Sequence, residues 1–448
     1  MRPKTCRRWI DRALGLAAAC LLLAGAAQAD DAWQPPLDEA LKQAATRHAP
    51  ILIEFHAPWC YSCYYMAHNV LNGAEWDKVK RETVLVDLDA DAPEGNYWEK
   101  RLDVKALPSY VVLNEQGEEL GRILAEQTRP EFYRQLDAIR ARTATLESLR
   151  DKVKDGSPAS LKASHEVLKA YYARSDADGA LAWRKGLPLA AQAALDKDAR
   201  ARLWTQRLQL MQAGQNKNTA QCAALAPLVL AGELGCDRAY ELDRVMECTA
   251  GLPDADKAVL LAAQKPVMTH QLYGEVFVSH PSCADARSAV LTTADLDDAL
   301  KYPQAREAVL DRAIADVKQR LGGNLKRDRN LADNLRVFLD RAGKTDELDL
   351  LYPRLIAAYP DDYVYYYRFG KSLAARGQYQ QALIYLQQAA PKAYGANRLN
   401  VAEQQAQALL KLNRPDDAKQ AVADALKANG PWFPERAAEL KALVALGN

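Results

Sequence analysis

The sequence has no cluster of lysine and arginine, and neither sign of charge is in clear excess. Its 448 residues include 59 basic and 58 acidic side chains. Proteins that bind nucleic acid or anionic lipid chiefly through charge carry a basic patch or face. The balanced composition therefore argues against nucleic acid and anionic lipid as main partners. The hydrophobic fraction of 49% is ample for packed cores.

Long apolar runs are also scarce, and the one that stands out lies at the start. Residues 1–12 carry five basic side chains and one acid, Ala13 to Ala27 is apolar, and the run ends in Ala27-Gln28-Ala29. This pattern is typical of a secretory signal peptide, cleaved after Ala29. A membrane anchor is the alternative, but a spanning helix needs about 20 apolar residues. A lipid-anchored Cys20 is a minor option. With no later membrane span, we expect an exported, periplasmic protein with the signal at 1–29.

Cysteine is sparse, with eight residues, of which Cys6 and Cys20 leave with the signal. In an oxidising compartment the remaining even number permits disulfides. Cys60 and Cys63 form a close pair, which suits half a zinc site, a structural disulfide or a redox centre. The other four could form two bridges, and the sequence leaves three pairings open among Cys222, Cys236, Cys248 and Cys283.

Residues 30–143 alternate strand and helix patterns. The run "PILIEFHA" is apolar and β-branched, as expected of a buried strand. In a second strand, Val84, Val86 and Leu88 alternate with polar residues. A hairpin over 109–124 has its turn at Asn114 to Gly117. Helical patterns cover the other segments, which are 36–48, 64–82, 96–106 and 128–143.

This order, with a cysteine pair at a strand-to-helix turn, resembles the thioredoxin fold over residues 36–142. "APWCYSC" is similar to the family's active-site turn. Glu54, six residues before Cys60, stands where family members carry a buried acid. "ALPSY" puts Pro108 ahead of a strand, where the family has a cis-proline opposite the cysteines.

The resemblance and the positions together predict catalytic roles for four residues. A thiolate is the nucleophile in disulfide exchange, and a helix N-terminus lowers the pKa of a cysteine placed there. We expect Cys60, at an exposed turn, to be the nucleophile, and the less exposed Cys63 to resolve the mixed disulfide. A buried Glu54 could accept the proton of Cys63. The resemblance implies that cis-Pro108 presents main chain to a substrate and keeps metal ions off the thiols.

The pair has two other interpretations. His56 and His68 flank the cysteines as H-x3-C-x2-C-x4-H, which offers four zinc ligands. One histidine ends a strand and the other lies over a turn into a helix, so convergence on one ion is not expected. A structural disulfide without catalytic function is the other alternative. We expect neither a cofactor nor a metal.

The direction of electron flow stays open, because Tyr61-Ser62 matches neither reducing thioredoxins nor the oxidase and isomerase relatives. Potentials across the family span roughly −270 to −120 mV. The spacing around the pair is more similar to periplasmic reductase domains, and no histidine adjoins Cys60 to stabilise a strongly oxidising thiolate. These features favour a reductase.

After residue 143 the strand signals stop. Over residues 144–330 the apolar residues recur at spacings of three and four, which predicts helical hairpins. This region contains Cys222, Cys236, Cys248 and Cys283. Residues 331–448 contain units offset by 34 residues, such as Gly343 with Gly377, and these resemble tetratricopeptide repeats. The helices serve either as a platform for a partner protein or as a structural or dimerising extension.

The predicted fold is therefore an α/β thioredoxin-like domain followed by an all-α, TPR-like helical-repeat solenoid. We expect an exported enzyme that reduces protein disulfides, receives electrons from an external donor protein, and docks a client or partner on its helices. The alternative is a non-catalytic TPR-type assembly or scaffold protein of the cell envelope with a vestigial thioredoxin domain.

Overall fold

The computed structural model describes residues 37–445, and the predicted signal peptide lies outside them. The first part of the described chain is a four-stranded sheet with helices on both faces. Its elements in chain order are α1 (Leu37–Arg47), β1 (Ile51–His56), α2 (Tyr61–Asn69), α3 (Gly73–Glu82), β2 (Val84–Asp89), α4 (Pro93–Arg101), β3 (Ser109–Leu113), β4 (Glu119–Leu124) and α5 (Arg129–Arg140).

The strands lie in the order β2-β1-β3-β4, with β1 parallel to β2 and antiparallel to β3. β1 is buried on both faces, which explains its continuous apolar run. One face packs through Leu52 and Tyr110 against α2, α3 and α5, and the other packs through Ile51 and Phe55 against α1. The predicted hairpin is confirmed, and Gly117 adopts a left-handed conformation (φ +84°) in its turn.

The segment 64–82 is helical as predicted, but the chain breaks at Val70–Asn72 and forms two helices. The amides of Val70 and Leu71 both donate to the Met66 carbonyl, which ends α2. The Asn72 side chain donates back to the His68 carbonyl at 2.8 Å, and the Gly73 that follows takes φ +77°. A left-handed glycine and an amide that bonds to nearby main chain compete with helix continuation.

The chain after α5 is helical throughout the described residues, as predicted. The helices are α6 (Leu146–Arg150), α7 (Pro158–Ala173), α8 (Ala177–Lys185), α9 (Leu189–Lys197), α10 (Ala199–Gln215), α11 (Thr219–Leu230), α12 (Arg238–Cys248), α13 (Asp254–Leu261), α14 (Gln264–Gln271), α15 (Ala286–Ala299), α16 (Pro303–Leu321), α17 (Arg329–Arg341), α18 (Thr345–Ala358), α19 (Tyr363–Ala375), α20 (Tyr379–Ala389), α21 (Gly395–Lys411), α22 (Pro415–Asn429) and α23 (Pro434–Ala445).

A repeated helix ending marks the last helix pairs. Gly343, Gly377 and Asn413 follow α17, α19 and α21, and each has a positive φ, of 67°, 77° and 58°. In each case the amide of the residue that follows donates, at 2.9 Å, to the helix carbonyl five residues earlier, as Lys344 does to Leu339. This is the hydrogen-bond pattern of a left-handed helix cap. The C-terminal part therefore fits a repeat domain, while its assignment to the tetratricopeptide repeats and the boundaries at 143 and 330 stay predictions.

The structure selects one of the three cysteine pairings that the sequence left open. Cys222 in α11 pairs with Cys248 at the end of α12, with Cα atoms 5.8 Å apart. Cys236, in a short 3₁₀ turn, pairs with Cys283 in the loop before α15, with Cα atoms 5.3 Å apart. Both bridges join neighbouring helical segments and lie outside the first domain.

The helical region contacts the first domain both near its start and farther along the chain. Near its start, Lys169 of α7 donates to Gln135 of α5 at 3.0 Å, and Arg142 pairs with Glu166 at 2.6 Å. Farther along, α17 packs on α2. The second contact lies close to Cys60, because α2 begins at the strand-to-helix turn that carries this residue.

We predict that Gly370→Ala destabilises the protein. A Cβ at this position in α19 would lie 2.6 Å from Leu386 Cγ and 3.1 Å from the Ala382 carbonyl oxygen of α20. Overpacking costs roughly 1–3 kcal/mol, against about 1 kcal/mol gained in helix propensity. Urea unfolding followed by circular dichroism should show a net loss of about 1 kcal/mol.

The matched control is Gly214→Ala in α10, where a Cβ would make an ordinary 3.5 Å contact with Cys248 Sγ. It should leave the unfolding free energy unchanged or raise it by up to about 1 kcal/mol. Equal effects of the two substitutions would contradict close packing of α19 on α20.

Candidate active site

Cys60 and Cys63 are joined in a disulfide at the start of α2, with an S–S distance of 2.00 Å. Cys60 occupies the N-cap position, and its Sγ accepts the Cys63 amide at 3.1 Å. The free amides and positive dipole end of a helix N-terminus stabilise an anion. Once the bond is reduced, the Cys60 thiolate would therefore be the better stabilised of the two.

The prediction that Cys60 lies at an exposed turn is wrong in this structure. Cys60 is 2% exposed and Cys63 is 5% exposed. Helices from far along the chain contact the residues on either side of Cys60. The pair packs with Ala57 and Leu107 in a small apolar cluster.

Glu54 is buried on β1, six residues ahead of Cys60 on the strand that leads into the turn. The register sets it beside Asp87 of β2 and Tyr110 of β3, and the Tyr110 hydroxyl donates to it at 3.0 Å. Burial raises its pKa to about 7, an effect that the nearby His56 partly opposes. A carboxyl with a pKa near 7 can exchange protons at neutral pH.

Pro108 follows a cis peptide bond, Leu107–Pro108, as the resemblance implied. Leu107 packs directly against the two cysteines. The Pro108 carbonyl accepts the Ala125 amide at 2.9 Å, which fixes the loop to the end of β4. The cis-proline loop therefore lies against the disulfide.

The histidines of the zinc alternative do not converge on the pair. His56 Nε2 lies 2.8 Å from Asp87, and His68 Nε2 lies 3.9 Å from Asp328. Burial lowers the pKa of His56, but the bond to Asp87 and its charge outweigh this and raise the pKa to about 9.

One group of three close potential metal ligands occurs within residues 37–445, and it lies elsewhere. It comprises Cys236, Glu275 and Cys283. The two cysteines are bonded to each other, so neither offers the thiolate that metal binding requires.

Three helices of the C-terminal region contact the residues on either side of Cys60. Arg368 of α19 donates to the Trp59 carbonyl at 2.9 Å, and Asn330 of α17 donates to the Tyr61 carbonyl at 2.9 Å. The guanidinium of Arg287, in α15, lies 3.5 Å from the centroid of the Tyr61 ring. Sequence reasoning missed these residues because no motif links them to the cysteine turn.

A second buried carboxyl, Glu126, lies beside Ser62, one of the two residues between the cysteines. It hydrogen bonds with Ser62, and Asn330 donates to it at 3.1 Å. Burial raises the pKa of Glu126 well above its usual range. It follows β4 in a loop with no motif, so sequence reasoning missed it.

The loop after β2 completes the surroundings of the turn. The Trp59 indole donates to the Asp91 carboxylate at 2.7 Å, and the Asp91 carbonyl accepts the Ala396 amide at 3.1 Å. Burial raises the pKa of Asp91. Trp59, directly before Cys60, is thereby linked to the start of α21.

Comparisons with known proteins agree with this geometry. Residues 32–115 match a family model described as Thioredoxin-like. The chain is 28% identical over 109 residues to "Thioredoxin-like protein HCF164, chloroplastic" of Arabidopsis thaliana, over 24% of this chain and 38% of that one. It is 31% identical over 98 residues to "Thiol:disulfide interchange protein TxlA" of Synechococcus elongatus, over 21% of this chain and 49% of that one.

The fold, the cysteine pair and the family match together define a thioredoxin-like domain. The chain carries this domain ahead of a helical region that fits a repeat domain. It spans half or less of the length of the curated relatives it matches. Across residues 37–445, no helix combines the length and the apolar character that crossing a membrane requires.

We predict that Glu54→Gln changes how stability depends on pH. Glu54 binds its proton more tightly when folded, so its contribution falls as pH rises from about 4.5, the unfolded pKa, to about 7. At about 1.4 kcal/mol per pKa unit, the loss is of order 3 kcal/mol. Urea unfolding of the oxidised protein should show the variant gaining on wild type between pH 5 and pH 8.

The exposed Glu94→Gln serves as the matched control and should follow wild type at both pH values. A Glu54→Gln stability difference that stays constant between pH 5 and pH 8 would contradict the raised pKa.

Proposed function

We propose that this protein is an exported thiol–disulfide oxidoreductase that reduces protein disulfides through Cys60 and Cys63. The observation that carries the proposal is a disulfide at a helix N-terminus against a cis-proline loop, within a thioredoxin-like domain. A relative named as a thiol:disulfide interchange protein supports the same chemistry. The present structure corresponds to the oxidised state of such an enzyme.

The proposed reaction begins with the reduced dithiol. The Cys60 thiolate attacks one sulfur of a substrate disulfide, a Cys60–substrate disulfide forms, and the other substrate sulfur leaves as a thiolate. Cys63 then attacks Cys60 Sγ, which releases the second substrate thiolate and forms the Cys60–Cys63 bond. Two electrons pass to the substrate, and its thiolates take up the protons that Cys60 and Cys63 lose.

Glu54 and Pro108 are proposed to support the second step. With a pKa of about 7, Glu54 suits a group that accepts the Cys63 proton as that thiol becomes a nucleophile. The loop at Pro108 packs on the cysteines and would present main chain to the substrate segment. A proline there has no amide hydrogen to donate.

The oxidised pair must be reduced again for a second turnover. We propose that an external dithiol protein supplies the electrons, and that the helical region docks the client or this donor. Export through residues 1–29 and the reductive direction belong to the same proposal.

A scaffold role is the second candidate, and one observation favours it. Cys60 is 2% exposed, which prevents direct attack on a protein disulfide in this conformation. In that case the thioredoxin-like domain would be vestigial, and the helices would carry the function.

We predict that Cys60→Ser abolishes the reduction of insulin disulfides in a dithiothreitol-coupled assay. Cys63→Ser should instead accumulate a mixed disulfide at Cys60, because the resolving thiol is absent. Mass spectrometry after acid quenching would detect the adduct. The double variant Cys222→Ser/Cys248→Ser is the matched control, since it removes a disulfide outside the site and should keep the activity.

If wild type and Cys60→Ser have the same activity and both keep partner binding, the scaffold role stands and the enzymatic proposal falls.

We also predict that the reduction potential of the Cys60–Cys63 couple lies near that of thioredoxin, about −270 mV. Equilibration with glutathione or dithiothreitol buffers, followed by alkylation and mass spectrometry, measures it. A value near −120 mV would overturn the reductive direction, because such a couple oxidises its substrates.

A further inference from the structure

The helical region contacts the residues on either side of the buried Cys60, and this has a consequence for substrate choice. We propose that α17, α19 and α21 form a specificity-determining wall of the active site, which excludes folded protein thiols and disulfides until it moves aside. This inference rests on the proposed function, because it concerns which partners reach the Cys60–Cys63 pair.

The two sulfurs of the pair are barely accessible to solvent. Disulfide exchange requires a thiolate to approach a sulfur along the line of the bond that breaks, so its rate depends on access. At 2% and 5% exposure, neither cysteine offers that approach to a protein. A small dithiol needs a far narrower opening than a folded protein does.

The wall donates hydrogen bonds to the main chain of the cysteine turn. Arg368 and Asn330 donate to the carbonyls of Trp59 and Tyr61, the residues that flank Cys60. A substrate segment that lies beside the cysteines would meet the same turn. The helices therefore occupy space that a protein substrate needs.

Buried charge pairs hold the wall in position. Asp333 of α17 is fully buried, and it accepts Arg287 at 2.7 Å and also pairs with Arg368. These two arginines are the ones that reach Tyr61 and Trp59. Since Asp333 fixes them from behind, their contacts with the turn are preorganised.

The start of α21 provides a second attachment, which combines a main-chain hydrogen bond with a side-chain hydrogen bond. The Ala396 amide donates to the Asp91 carbonyl, and Tyr394 donates to Asp89. Gly395 has φ +51°, and a Cβ there would lie 1.9 Å from the Asp91 carbonyl oxygen. A side chain at 395 cannot coexist with this contact, so α21 would have to separate from the first domain.

The test measures how fast two reductants open the Cys60–Cys63 disulfide in the full mature chain. One is dithiothreitol, and the other is a reduced thioredoxin, which is a protein dithiol. Acid quenching, alkylation and peptide mass spectrometry report the Cys60–Cys63 bond separately from the other two disulfides. In wild type we expect the protein dithiol to be slowed relative to dithiothreitol.

Gly395→Ala should raise the rate with reduced thioredoxin by about tenfold or more, because its Cβ overpacks the contact. The rate with dithiothreitol should rise less. The matched control is Gly377→Ala, which introduces the same strain at φ +77° but meets no atom within 4 Å. It should react as wild type does with both reductants.

Arg368→Lys decides the question should Gly395→Ala fail to fold. Lysine keeps the charge opposite Asp333 but loses the planar fork that also reaches Trp59. It should accelerate the protein reductant selectively. Arg376→Lys, at the exposed end of α19, pairs with Asp349 and provides the matched control.

Equal rates with reduced thioredoxin for wild type, Gly395→Ala and Arg368→Lys would overturn the inference and leave the proposed function standing. If dithiothreitol opens the bond while no variant exchanges with any protein dithiol or disulfide, the proposed function fails and the inference falls with it.

Discussion

The buried carboxylate of Asp333 is the group on which the arrangement of the helices around the cysteine turn depends. Burial alone would raise its pKa, but Arg336, Arg368 and Arg287 together hold that pKa well below the usual range. Leaving such a charge unpaired in the interior costs roughly 3–5 kcal/mol. The arginines come from α15, α17 and α19, so one carboxylate fixes three helices against each other.

The arginines that pair with Asp333 also contact residues beside the disulfide. Arg287 and Arg368 each have one contact with Asp333 and another with a residue beside Cys60. The helical region is therefore part of the immediate environment of the disulfide. The disulfide between Cys236 and Cys283 lies close to the same region. Asp285, two residues after Cys283, accepts hydrogen bonds from the hydroxyls of Tyr61 and Tyr240.

Local patterns were enough to predict the first domain. The alternation of Val84, Val86 and Leu88 and the turn at Gly117 indicate elements that the structure contains. The break at Val70–Asn72 was missed because side-chain bonding by Asn72 overrode a continuous helical pattern. The relation of Pro108 to the cysteines came from a family resemblance, which carries three-dimensional information that periodicity lacks.

The covering of the site could not be predicted in the same way. Asn330 and Arg368 contact the turn across 269 and 309 residues of chain, and no local pattern encodes such a contact. One signal was present in α17, where Asn330, Asp333 and Asn334 place polar side chains at helical spacing and all are buried. Buried polar groups at i, i+3 and i+4 require partners, and here the partners include the first domain.

The two disulfides of the helical region cross in sequence, since Cys236 lies between Cys222 and Cys248 while its own partner, Cys283, lies beyond both. Because a chain is synthesised from its amino end, Cys236 is made when Cys222 is the one earlier member of these four cysteines. Oxidation at that moment joins the wrong two residues. Native pairing thus requires either that oxidation is slow relative to synthesis of the chain, or that a disulfide-exchanging protein converts an early wrong bond into the two native ones.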